Sequence, residues 1–96
     1  MFKQFIERSP RDPFPRYGLA MEYKGRGQLE DARAAFDELI ASFPEYVASY
    51  LQAGGVHAAL GDRARAEETF RAGIAAAGAK GDLHAKKELE AALAEL

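Results

Sequence analysis

Apolar residues return along the chain at three- and four-residue steps, in blocks separated by glycine, proline and aspartate. That step is the period of helices with one buried face. Residues 2–8 predict a short helix with Phe2, Phe5 and Ile6 on one side. Further helices are expected over about 13–26, 29–42, 47–60 and 63–77, and a last one over about 82–95. In that last helix Ala85, Leu89, Ala92, Leu93 and Leu96 keep helical spacing. Asp12, Asp62 and Asp82 stand where side-chain caps are expected, with Pro13 and Pro15 in a first turn that does not need their missing N–H groups. Gly78 and Gly81 mark the last break between helices.

One offset organises these blocks. Phe2, Phe36 and Phe70 are 34 residues apart, as are Ile6, Ile40 and Ile74. Pro10, Pro44 and Gly78 keep the step with residues that end helices, and Gly27 pairs with Gly61 and Ala32 with Ala66. Each kept residue has a physical reason. Ala20 with Ala32, and Gly54 with Ala66, are small enough to let two helix backbones approach. Phe36 and Phe70 supply the apolar area that fills the space between hairpins. Gly27 and Gly61 can adopt the left-handed conformation that closes a helix.

A 34-residue period built from two helices is the length of a tetratricopeptide (TPR) unit, and the residues resemble that family's motif. The first unit reads Arg16, Leu19, Ala20, Tyr23, Gly27, Ala32, Phe36 and Pro44; the second reads Tyr50, Ala53, Gly54, His57, Gly61, Ala66, Phe70 and Gly78. Arg16, His57, Leu39 and Gly73 depart from the family's preferred types at positions it varies. The resemblance implies an all-α fold, a right-handed α-α superhelix of antiparallel hairpins. One domain over residues 1–96 divides into an N-terminal half-repeat helix (1–12), repeat one (13–46), repeat two (47–80) and a C-terminal capping helix (81–96).

The two ends differ. The last helix carries Lys86, Lys87, Glu88, Glu90 and Glu95 opposite its apolar stripe, as a stack's solvent-facing cap requires. The first helix is only two turns long, and an isolated helix of that length is marginal. Phe2, Phe5 and Ile6 therefore either pack on the helix starting at Pro13 or form the contact of a homodimer.

Composition narrows the function. Apolar residues make up 48% and charged residues 29% of the chain, an ordinary globular balance. A net charge of −2 gives no footprint for nucleic acid. The absence of cysteine removes disulfides, thiol nucleophiles and thiolate metal sites. No signal-peptide or membrane-spanning apolar run occurs, so no membrane partner is expected and the cytoplasm is the default location. His57 replaces the aromatic of its unit and is expected to pack within its hairpin; His84, in the first turn of the last helix, is expected in solvent. Glu30-Asp31 and Glu67-Glu68 fall where the helix dipole favours negative charge. No catalytic residues, metal ligands or cofactor are assigned, and no enzyme is expected.

The resemblance implies instead a protein or peptide partner, held on the inner wall formed by the first helix of each unit. Its inward positions map to Phe14, Tyr17, Gly18, Met21 and Lys24 in the first unit, and to Ala48, Leu51, Gln52, Gly55 and Ala58 in the second. In the last helix they map to Asp82, Ala85, Lys86 and Leu89. Phe14, Tyr17, Met21 and Leu51 are the apolar anchors, with Lys24, Gln52 and Lys86 as polar handles; Tyr17 and Met21 are expected to be the exposed contacts. Family members that clamp the carboxylate tails of heat-shock chaperones use lysine, asparagine and basic residues where this chain has Tyr17, Met21, Gln52, Asp82 and Lys86. Only Lys86 conforms. The wall is therefore expected to suit an apolar helix or an extended peptide.

Overall fold

The computed structural model describes residues 1–96 and contains six helices: α1 (Phe2–Arg8), α2 (Pro13–Gly25), α3 (Leu29–Ser42), α4 (Ala48–Ala59), α5 (Arg63–Lys80) and α6 (Leu83–Ala94). Each packs against the next in sequence, and α4 also touches α6. The predicted caps form. The carboxylates of Asp12, Asp62 and Asp82 accept from the amides of Phe14, Arg65 and Ala85 at 3.0–3.1 Å, satisfying donors at the helix starts that have no partner inside the helix.

Two helix ends repeat at the 34-residue step. Gly27 and Gly61 have φ of 73° and 82°, a region closed to most side chains. The following amides reach back five residues, Gln28 to the Tyr23 carbonyl and Asp62 to the His57 carbonyl, both at 2.9 Å. The third break departs from expectation. Gly78 lies inside α5, which continues to Lys80 and ends at Gly81 with φ 75°. Glycine keeps its N–H and costs a helix interior only about 1 kcal/mol, unlike proline. Gly78 thus does not end its helix as Pro10 and Pro44 follow theirs.

Two layers of core result. Ala20, Ala32, Phe36, Leu39, Ala53 and Val56 join α2, α3 and α4; Val47, Tyr50, Ala66, Phe70, Ala77 and Leu89 join α4, α5 and α6. Phe36 and Phe70 are therefore buried in corresponding places, each against its own hairpin and the helix that follows. Gly54 lies so close to Phe70 that a Cβ there would clash with the ring. Arg16, standing in for an aromatic, lies over the Phe43 ring at 6.0 Å and pairs with Glu38 at 3.6 Å.

At the N-terminal end, α1 packs on α2 with Phe2 and Ile6 half-buried in the same chain, leaving Phe5 as the exposed member of that trio. At the other end Leu89 is buried, with Ala85, Ala92, Leu93 and Leu96 packed around it, and Lys87, Glu88, Glu90 and Glu95 face solvent.

Candidate functional site

The first helices of successive units, α2, α4 and α6, share one wall. On it a hollow of about 260 Å³ is lined by Tyr17, Val47, Ala48, Leu51, Gln52, Ala85, Glu88 and Leu89. Tyr17, Leu51 and Ala85 are 34 residues apart, so the repeat delivers equivalent side chains from three layers to one place. The lining is mostly apolar, with Gln52 and Glu88 at its polar edge. The Lys24 ammonium donates to the Gln52 side-chain oxygen, tying α2 to α4 along the same wall.

The hollow's shape is fixed from behind. Tyr17 meets Phe36 edge-on at 6.1 Å and Tyr46 at 5.8 Å, the arrangement aromatic quadrupoles favour. Burial, and then the neighbouring Tyr46, raise the Tyr17 pKa above that of an ordinary phenol. The ring is therefore a neutral, fixed wall at physiological pH.

The inward positions do not all behave alike. Tyr17, Leu51, Gln52 and Leu89 come together at the hollow, Leu89 as its buried floor. The expectation that Tyr17 and Met21 would be the exposed contacts is reversed: both are half-buried against the first core layer, whereas Phe14 is 65% exposed. Phe14 sits in the first turn of α2 and is not part of the first core layer, while Tyr17 and Met21 pack against Phe36 and its cluster. Gly55 has open space above it, and Lys86 is half-buried on α6. Neither lines the hollow, nor do Phe14, Met21 and Lys24.

Sequence reasoning passed over Val47, Glu88 and the supporting Tyr46. Val47 precedes its helix and Glu88 sits one position off the inward register, so only their closeness to Leu51 and Ala85 could have marked them.

A second polar cluster lies away from this wall. His57 is 2% exposed, and its Nε2 is 3.0 Å from Asp37 Oδ1. His57 is thus buried, as a packing residue is, and in addition bonds across to α3 in the preceding hairpin. Arg33 and Arg65 approach the other Asp37 oxygen at 3.5 and 3.7 Å. Asp37 therefore links α3, α4 and α5. His84 stays in solvent beside Glu88 at 3.3 Å. No three acidic or histidine side chains converge to hold a metal ion, and no helix is long and apolar enough to cross a membrane.

Comparison with known proteins agrees with this architecture. No family model matches the chain. A TPR repeat-containing protein of Pseudomonas aeruginosa is 32% identical over 81 residues, covering 84% of this chain and 77% of that protein. The crystal structure of a tetratricopeptide repeat domain protein from Salinibacter ruber superposes with a TM-score of 0.83 at 33% identity, over 88% of this chain and 94% of that one. A Bordetella parapertussis protein solved in solution shares the fold at 24% identity, with a TM-score of 0.82 over 98% of this chain and 82% of its own. The repeat, its paired core layers and these relatives together place the chain in the tetratricopeptide-repeat family.

Proposed function

We propose that this chain is a protein-interaction module that holds an apolar helix or an extended peptide on the wall formed by α2, α4 and α6. TPR proteins in general serve protein–protein interaction. The observation that carries the finer reading is the hollow shared by Tyr17, Leu51 and Ala85. It is apolar, bounded by fixed side chains, and edged by Gln52 and Glu88, which can meet a peptide backbone. Phe14, exposed on α2, and Lys86 on α6 extend the contact along the wall.

Ala48 offers a clean test, because it lines the hollow yet is itself exposed. Ala48→Arg places a long cation in the apolar space without entering either core layer. A partner identified by affinity purification is then titrated against the native chain, Ala48→Arg and Ala75→Arg, the last on the exposed side of α5. The proposal expects Ala48→Arg to weaken binding at least about tenfold, the loss of one anchoring contact, with Ala75→Arg unchanged. Equal affinity of all three would remove the groove from consideration.

A further inference from the structure

The most weakly held element of the chain is α1. It has seven residues, none buried, and packs on α2. Its main anchor is Phe2, whose ring lies directly on the α2 backbone at Gly18, where any Cβ would collide with it. Gln52 and Lys86 occupy the equivalent positions in the later units, so the notch is peculiar to the first.

The connection between α1 and α2 is unpacked. Ser9, Pro10, Arg11 and Asp12 are all exposed around an open hollow, and the Asp12 amide to Ser9 carbonyl bond at 3.0 Å closes the turn. Both Ser9 and Asp12 precede prolines, which disfavours helical backbone at each and biases the segment toward extension. Asp12 meanwhile stays with α2 as its cap. An arm that makes few buried contacts, on a hinge inclined to straighten, opens at low cost. Opening uncovers the Gly18 notch and releases a helix already shaped to fill it.

We propose that α1 is an exchangeable arm, and that two copies of this chain trade it, each seating its Phe2 in the other's Gly18 notch. The occupant is a second copy because the chain itself supplies the complementary knob, and exchange recreates the same contacts twice around a two-fold axis. Phe5, 47% exposed, and Met1, 88% exposed, lie on or beside the same arm and become available for contact between the two copies. In the native chain the arm's own notch competes at an effective concentration of roughly millimolar. The closed monomer therefore dominates until the protein itself approaches that range. Gly18 is one of the inward positions mapped from the sequence, but Phe2 covers it and it lies outside the hollow, so the exchange leaves the hollow's lining unchanged.

Light scattering across a dilution series tests it with three proteins. Deleting Ser9, Pro10 and Arg11 leaves only Asp12 between α1 and α2, fewer than the two residues that turn α5 into α6, so α1 can no longer reach its own notch. The dimer is then expected at concentrations at least about tenfold lower than for the native chain, because the intrachain competitor is gone. Adding Gly18→Ala to the shortened chain blocks the notch and returns a monomer, with circular dichroism confirming retained helices. Neither core layer includes Gly18. A shortened chain that stays monomeric overturns the proposal, as does a dimer indifferent to Gly18→Ala.

Discussion

Neighbouring glycines in α4 give opposite expectations when each is replaced by alanine. Gly54 faces Phe70, and a Cβ there would clash with the buried ring; Gly55 has nothing within 4 Å of its added Cβ. Both lie in a helix interior, where alanine is favoured over glycine by about 0.5–1 kcal/mol. Gly55→Ala collects that gain and should stabilise the fold by this amount. Gly54→Ala must also displace the ring, at about 1–3 kcal/mol for an overfilled core. The net loss is therefore about 0–2.5 kcal/mol. The lower half of that range is favoured by a precedent within the chain: Ala20 occupies the same register in the first hairpin and packs with Phe36. Relaxation of α4 and α5 toward that spacing is thus sterically available. Urea denaturation at unchanged slope measures the difference, expected at about 1–3 kcal/mol between the two variants. Thermal melts should separate by about 4–8 °C for each kcal/mol in a domain of this size. Identical shifts for both variants would refute the placement of Phe70 against α4.

Two further expectations concern polar groups. Asp37→Ala deprives buried His57 of its partner and should cost about 1–3 kcal/mol by urea denaturation, whereas combining it with His57→Leu should recover most of that loss by leaving no orphaned group; a loss below about 0.5 kcal/mol for Asp37→Ala would contradict the role given to this bond. Stability should also fall in alkali. Burial is the first cause raising Tyr17, Tyr46 and Tyr50, seconded by Tyr46, Asp12 and Glu45 respectively. Their stabilisation is fully present below the unfolded value near about 10 and is lost as pH rises through the higher folded values, because the unfolded chain ionises first. Urea midpoints followed with tyrosinate absorbance should drop together above about pH 10, and a flat midpoint there would contradict the burial of these rings.

The sequence carried the stack because its determinants are local or periodic. Asp12, Asp62 and Asp82 announce helix starts, Gly27 and Gly61 announce ends, and Phe36 with Phe70 sets the layer spacing. Gly78 misled because a glycine permits a helix end without requiring one, and the decision fell to Gly81 three residues later. The wall was legible as a register, yet exposure along it was not. Tyr17 is half-buried because Phe36 and Tyr46, from elsewhere in the chain, pack against it, and nothing local in sequence separates it from exposed Phe14. The His57–Asp37 bond was hidden for the same reason, since it joins residues 20 apart in sequence on separate hairpins.

Amide chemical-shift mapping of the isotope-labelled chain, titrated with the binding segment of its partner, tests the assignment of the concave wall most directly. Shifts clustered around Tyr17, Ala48, Leu51, Gln52 and Ala85, on three helices at once, are the predicted result. A footprint confined to α3 and α5, with those five residues undisturbed, would contradict it.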